Sequence, residues 1–147
     1  MSDSNFSREL SLKVTCKSFD KVKISSSQDT FEYARKFYFD DILIYESMFI
    51  LLLDRSNNTI GYAKISQGGV AGTVMDIKIV ALYAVKALAS AVILVHNHPS
   101  GKVTPSEDDK YITKKLRDGL KLLDIDLLDS MVITDTAYYS LADEGVL

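Results

Sequence analysis

The chain has 147 residues, 47% of them hydrophobic, which suits one globular domain with a buried core. Its net charge of −3 gives no electrostatic reason to expect general nucleic-acid binding. No apolar run approaches the roughly 18 residues of a membrane span, and MSDSNFSREL lacks the order of a secretory signal. Cys16 is the sole cysteine, which excludes an internal disulfide and a four-thiolate metal site, so we expect a cytoplasmic protein.

The first part of the chain predicts two strands and a helix. Alternating apolar side chains in residues 10–16 (LSLKVTC) and 21–25 (KVKIS) favour strands. Asp29, followed by Glu32, is an N-cap signal. The helix that it predicts carries Phe31, Ala34, Phe37 and Tyr38.

The middle of the chain predicts a hairpin, a helix and a buried strand. Residues 47–54 and 59–66 read as strands joined by the turn-forming residues DRSNN. After the flexible connection QGGVAG, residues 76–89 are apolar nearly all round, which predicts a buried helix capped by Asp76. The uncharged, β-branched residues 90–95 suit a central strand that is covered on both faces.

The last part of the chain predicts an amphipathic helix at residues 106–123 and strands at 126–134 and 137–141. Together these elements predict one mixed α/β domain. The basic side chains of the helix fall on one side, as a solvated face does, with nucleic-acid binding a distant second interpretation. They are Lys110, Lys114, Arg117 and Lys121.

The chain's two histidines stand in VILVHNHPSGKVTPSEDD, residues 92–109, which also holds both prolines. Side chains two apart in an extended segment point the same way, so the rings of His96 and His98 leave the end of the strand on one side. Two imidazoles need this geometry to share one metal ion. The segment therefore indicates a metal site at the end of this strand.

The following helix brings a carboxylate toward the histidines. Thr104 as the cap and Pro105 at the first helical position place Ser106 and Asp109 in the first turn. On a helical projection Asp109 lies within roughly 30° of the centre of the apolar face, whereas Asp108 lies about 75° away. That face is formed by Ile112, Leu116, Leu120 and Leu123. A core-facing carboxylate is costly unless it is paired or metal-bound, so Asp109 is the better candidate ligand. A single histidine or aspartate in such a place more often has only a structural role. Together, two imidazoles and one carboxylate indicate a catalytic zinc site whose fourth coordination position is open.

HNHPSGKVTPSEDD fits the H-x-H-x7-S-x-x-D signature, and the chain thereby resembles the JAMM/MPN+ (JAB domain) superfamily of zinc metalloproteases. The HNHPSG wording resembles its RadC-like branch. The resemblance covers residues 24–147, which leaves residues 1–23 as an N-terminal arm. It implies an MPN/JAB-like fold, a mixed β-sheet with helices on both sides, similar to the cytidine-deaminase architecture.

The resemblance also implies roles for five residues. His96, His98 and Asp109 would bind zinc, and Ser106 would hydrogen-bond near the water or the developing oxyanion. Glu46, which the resemblance alone singles out, would be the general base. Zinc lowers the pKa of bound water toward about 7, and a nearby carboxylate can move its proton to the leaving amine. The implied reaction is hydrolysis of peptide or isopeptide bonds in a protein or peptide substrate.

Two other functional classes remain open. The first is a DNA-interacting module associated with DNA repair or mobile elements. The name of the family and the basic side of the last helix favour it. However, residues 1–19 do not read as the helix-hairpin-helix region of longer RadC-like proteins. A metal-bearing scaffold without turnover would not need the intact set of site residues. Ser130 stands where RadC-like chains typically carry histidine, and a zinc deaminase is disfavoured because H-x-E and P-C-x-x-C are missing.

Overall fold

The structure, a computed structural model, describes residues 20–38, 40–68 and 75–147. In chain order its elements are α1 (Ser27–Ala34), a 3-10 helix (Asp40–Leu43), β1 (Ser47–Leu53), β2 (Thr59–Gln67), α2 (Ile77–Lys86), β3 (Ala91–Asn97), α3 (Glu107–Lys121), β4 (Asp126–Ile133) and β5 (Tyr138–Ser140). The predicted strand at residues 10–16, with Cys16, lies outside the described residues. No helix in the described ranges is long and apolar enough to cross a membrane.

The strands that the structure describes form one mixed sheet in the order β2-β1-β3-β4-β5. β1 runs antiparallel to both β2 and β3, whereas β3 and β4 are parallel. The parallel pair is joined through α3, the kind of crossover that parallel strands require. Every residue of β1 and β3 is buried, which explains their unbroken apolar runs. The predicted mixed α/β fold is confirmed.

Helices cover both faces of this sheet, as predicted. The core on the α1 side includes Tyr33, Ala34, Phe49, Leu51, Ile93 and Val95. The core on the side of α2 and α3 includes Val80, Ala84, Ile50, Leu94, Leu116 and Leu120. Because side chains alternate along a strand, the ring of His96 shares the second face with Leu94. The site is thus built on the face that α3 covers.

The first helix begins and ends earlier than predicted. Ser26, not Asp29, is the N-cap, and its side chain accepts a hydrogen bond from the Asp29 backbone N–H at 3.2 Å. Serine and aspartate three residues apart are both good capping residues, and the first of the two begins the helix. The helix ends at Ala34, so Phe37 and Tyr38 lie after it, although both remain buried.

The strand predicted at residues 21–25 is reduced to a single antiparallel bridge between Lys23 and Asn58. Asn58 lies in the turn that joins β1 and β2. The segment therefore meets a turn instead of the length of a strand, and the ladder ends after one pair.

The prediction of a buried helix was wrong for α2. Asp76 caps the helix as predicted. Val80 and Ala84 are buried, but Leu82 and Val85 keep 57% and 51% of their surface exposed. An apolar helix without a polar side gives no indication of how much of it meets the sheet. α2 covers the sheet with one side only.

A buried carboxylate ties β4 to the C-terminal turn. Asp129 accepts hydrogen bonds from the Ser140 hydroxyl and from the backbone N–H groups of Ser130 (2.7 Å) and Ala142 (3.0 Å). Burial nevertheless raises the pKa of Asp129. These contacts make the carboxylate a structural acceptor for three donors.

We expect Asp129→Ala to lower the free energy of unfolding by about 2–4 kcal/mol, because buried donors lose their acceptor. Urea denaturation measures this change. Asp135→Ala, on the exposed turn after β4, is the matched control and should change stability by about 0.5 kcal/mol or less. Equal unfolding midpoints for the two variants would contradict the structural role of Asp129.

Candidate metal centre

Four acidic or imidazole side chains meet where β3 ends and β1 begins. Glu46 directly precedes β1, His96 lies on β3, His98 follows that strand and Asp109 lies in the first turn of α3. One ligand atom from each side chain lies within 4.8 Å of the atoms from the other three. Asp108 is exposed, as the helical projection predicts. The group could hold a metal ion.

The ligand atoms are spaced as a tetrahedral metal ion requires. The Nε2 atoms of His96 and His98 lie 3.2 Å apart. His96 Nε2 lies 3.4 Å from Asp109 Oδ1, and His98 Nε2 lies 3.4 Å from Asp109 Oδ2. Zinc binds nitrogen and oxygen at about 2.0–2.2 Å, so two ligands of a tetrahedral zinc lie about 3.3–3.5 Å apart. These three side chains therefore fit one ion.

The sheet holds His96 in place from both sides. His96 is paired with Met48 of β1 and Val132 of β4, and only 2% of its surface is exposed. The sequence placed it at the end of its strand, and the structure includes it within β3. His98 continues the alignment, since its backbone N–H donates to the Ile133 carbonyl at 3.1 Å. The chain then turns at Gly101, whose φ of +83° favours glycine.

The two imidazoles are oriented differently. His98 Nδ1 lies 2.8 Å from the Lys102 carbonyl oxygen, which only accepts, so Nδ1 carries the hydrogen. In the neutral ring this leaves a lone pair on Nε2, the atom that faces Asp109. His96 Nδ1 is buried without a hydrogen-bond partner among the described residues. A backbone carbonyl thus orients His98, whereas packing orients His96.

Asp109 is fixed by the start of its own helix. Ser106, not Thr104, is the N-cap of α3, and Pro105 lies just before the cap. Ser106 Oγ accepts from the Asp109 backbone N–H at 3.0 Å, and Asp109 Oδ2 accepts from the Ser106 backbone N–H at 2.8 Å. This reciprocal pair satisfies two helix-start donors. The capping box sets the direction of the Asp109 carboxylate.

The electrostatics of the centre favour a cation. Partial burial opposes ionisation of Asp109, yet its close contacts with the rings of His96 and His98 hold its pKa well below the usual range. The same contact with Asp109 raises the pKa of His98, against the effect of partial burial. Asp109 is therefore ionised at neutral pH, and its negative charge faces the two rings.

The buried side of α3 differs from its predicted apolar face. Leu123 is 47% exposed because α3 ends at Lys121, so the helical projection no longer applies to it. Thr113, which was not predicted to be buried, donates to the Ser130 hydroxyl at 3.0 Å inside the protein. Ser130 thus joins β4 to α3 through this hydrogen bond.

Asn97, between the two histidines, was not singled out by the sequence. Its side chain is fully buried. Oδ1 accepts from the Ser47 N–H at 2.7 Å, and Nδ2 donates to the carbonyl oxygens of Ile42 (2.7 Å) and Tyr45 (2.8 Å). No local pattern could have indicated these contacts, since the partners lie 50 to 55 residues away along the chain.

The chain is similar to a known protein family and to several curated proteins. A family model described as "RadC-like JAB domain" matches residues 24–146. A UPF0758 protein of Flavobacterium johnsoniae is 42% identical over 124 residues, which are 84% of this chain and 53% of that protein. A UPF0758 protein of Porphyromonas gingivalis is 46% identical over 103 residues, 69% of this chain and 45% of that protein. The chain thus spans about half the length of these curated relatives.

Proposed function

Because the chain belongs to the RadC-like JAB domain family, we propose that it is a zinc-dependent hydrolase of peptide or isopeptide bonds. The observation that carries the proposal is the meeting of Glu46, His96, His98 and Asp109 within 4.8 Å. In this proposal three of the side chains bind the metal and Glu46 stays unbound, which leaves the fourth coordination position open, as in catalytic zinc sites.

We assign the metal to His96 Nε2, His98 Nε2 and the Asp109 carboxylate. Two nitrogens and one oxygen are a donor set that zinc accepts in catalytic sites. When bound, zinc polarises a carbonyl and acidifies water. The Lys102 carbonyl supports this assignment, because it holds His98 in the tautomer that keeps Nε2 free to bind.

Glu46 is the general base in this proposal. Its carboxylate is half-buried at the start of β1 and lies within 4.8 Å of the ligand atoms, close enough to reach a water molecule among them. It accepts a proton from the attacking water and passes it to the nitrogen of the leaving amine. Peptide hydrolysis needs both transfers, since an unprotonated amide nitrogen is a poor leaving group.

Ser106 is proposed to hydrogen-bond the attacking water or the developing oxyanion. Its Oγ accepts from the Asp109 N–H, and the hydroxyl hydrogen remains able to donate. The side chain is exposed at the N-terminus of α3, where backbone N–H groups favour negative charge. The same serine thus serves the helix cap and the site.

Chelator-sensitive cleavage tests the proposed activity. Proteome-derived peptides and ε-amino-linked peptide conjugates are incubated with the zinc-loaded chain, with and without a chelator, and cleaved bonds are identified by mass spectrometry. We expect cleavage that the chelator abolishes and added zinc restores. Cleavage that is unaffected by the chelator, or the absence of any cleavage, would contradict the proposal.

DNA binding is expected to be weak and salt-sensitive. Lys110 lies 3.0 Å from Glu107 and Arg117 lies 3.2 Å from Asp118, so part of the basic side of α3 is neutralised locally. Binding through phosphates alone typically has a dissociation constant of about 10⁻⁴–10⁻⁶ M and falls steeply as salt increases. Fluorescence anisotropy with labelled duplexes measures this. Tight, sequence-selective binding at about 0.15 M salt would instead favour the DNA-associated function.

A further inference from the structure

The buried amide between the two histidines carries an inference about the general base. We propose that Asn97 is a positioning residue that fixes Glu46 relative to the imidazoles of His96 and His98. The inference rests on the proposed function, because it concerns the base of that same site. In this role Asn97 acts through the backbone on both sides of Glu46 and not on the reacting atoms.

Asn97 holds the peptide groups on both sides of Glu46. Its Nδ2 donates to the Tyr45 carbonyl, which precedes Glu46, at 2.8 Å. Its Oδ1 accepts from the Ser47 N–H, which follows Glu46, at 2.7 Å. A third bond from Nδ2 reaches the Ile42 carbonyl at the end of the 3-10 helix. One side chain therefore sets the backbone from which the Glu46 carboxylate extends.

These bonds form where the ladder between β1 and β3 ends. Its last pair is Met48 with His96, and the next pair in the same register would be Ser47 with Asn97. There the Asn97 side chain, instead of its backbone, takes the Ser47 N–H. The paired register of β1 and β3 ends before these two residues, and the Asn97 side chain joins the two segments there.

Asn97 is rigidly joined to the histidines. It is the last residue of β3, it lies between His96 and His98, and it is paired with Ile133 of β4. Its side chain points away from the face of the His96 ring, because neighbours on a strand alternate. The peptide groups on both sides of the base are thus hydrogen-bonded by a residue that belongs to the same strand as His96.

Other contacts hold the fold at this point. The Tyr38 hydroxyl donates to the Ser47 carbonyl at 2.7 Å, and the Gly68 N–H donates to the Glu46 carbonyl at 2.9 Å. Because of these bonds, removal of the Asn97 amide should loosen Glu46 without unfolding β1. A displacement of about 1 Å in a reacting group can reduce the rate about 100-fold.

The first arm of the test compares rate with metal binding. Asn97→Ala should bind zinc as tightly as wild type but lose about 10–100-fold in kcat with little change in KM. Asn97→Ala combined with Glu46→Gln should be no slower than Glu46→Gln alone, since residues that act as one unit are not additive. Losses that multiply in the double variant would overturn the inference.

A matched control removes a buried side chain at the opposite end of β1 and β2. Thr59 is buried, and its hydroxyl accepts from the Val22 N–H at 2.9 Å. Thr59→Ala should therefore lose stability but keep the wild-type kcat. If Thr59→Ala slows the reaction as much as Asn97→Ala does, the effect of Asn97 is a general loss of stability and the inference is wrong.

The second arm needs no substrate and therefore separates this inference from the proposed function. Each variant is loaded with Co²⁺, whose visible spectrum responds to the groups around the metal. Asn97→Ala should change the spectrum in the direction that Glu46→Gln does, and hydrogen exchange at the Ser47 amide should become faster. A wild-type spectrum with unchanged exchange would overturn the positioning of Glu46, whether or not cleavage is found.

Asn97→Asp extends the test if the alanine variant does not fold. It keeps the shape of the side chain and the acceptor for Ser47, but it loses the two donors to Ile42 and Tyr45. Because the new carboxylate oxygen would face the Ile42 and Tyr45 carbonyl oxygens, we expect a loss of kcat and a spectral change at least as large as in a folded Asn97→Ala protein. Wild-type kcat and spectrum in a folded Asn97→Asp protein would show that the two donors do not position Glu46.

Discussion

Glu46→Gln is expected to retain its fold and its zinc but to lose about 10²–10⁴-fold in hydrolytic rate, the contribution that general-base catalysis typically makes. Glutamine keeps the length and hydrogen-bonding reach of the side chain, but it cannot take a proton from water. Because Glu46 is assigned as the base and not as a ligand, zinc content should stay at the wild-type level. Rate and zinc content are measured on the same preparation.

The control for this variant is a glutamate of the opposite face. Glu32 is exposed on α1, where its carboxylate accepts from the Gln28 side chain at 3.1 Å. Glu32→Gln removes the same charge from the chain and should cleave at the wild-type rate. If Glu46→Gln also cleaves as fast as wild type, the assigned base is wrong, even where zinc is bound as proposed.

The second large effect is expected for His98→Ala, which should lose zinc and activity together. The variant lacks one of the three proposed ligands. Substitutions of residues that only contact a ligand typically lower metal affinity about 10–100-fold, so the zinc affinity of His98→Ala should fall by more than that. Competition with a chromophoric chelator measures the affinity. His96→Ala should behave in the same way, because the two rings share Asp109.

Lys102→Ala is the matched control for His98→Ala. Lys102 contacts His98 through its backbone carbonyl, and that group survives the substitution. The variant should therefore keep zinc affinity within a small factor of wild type. Equal affinities in His98→Ala and Lys102→Ala would remove His98 from the ligand set.

The central strands of the fold could be predicted from the sequence because a strand that is buried on both faces has an uninterrupted apolar sequence. β1 and β3 are largely apolar runs without aspartate, glutamate, lysine or arginine, and both lie fully buried in the middle of the sheet. Elements that depend on one neighbour were predicted less well. The segment at 21–25 finds a turn instead of a strand, and α2 hides only one of its sides.

The residues of the candidate site could likewise be predicted only in part. His96, His98 and Asp109 lie within 14 positions, so strand alternation and helical projection bring them together from local geometry alone. Glu46 lies far away along the chain and was indicated only by resemblance to a family. Asn97 gave no signal at all, because its hydrogen bonds reach backbone groups of a distant segment that no periodicity reveals.

The most direct measurement of the central claim is anomalous diffraction at the zinc edge from crystals of the zinc-loaded chain. It locates the metal and shows which side chains bind it. We predict one peak bound by His96 Nε2, His98 Nε2 and the Asp109 carboxylate at about 2.0–2.2 Å, with Glu46 nearby but not bound. No zinc among these residues, or a closed site in which Glu46 is the fourth ligand, would contradict the account.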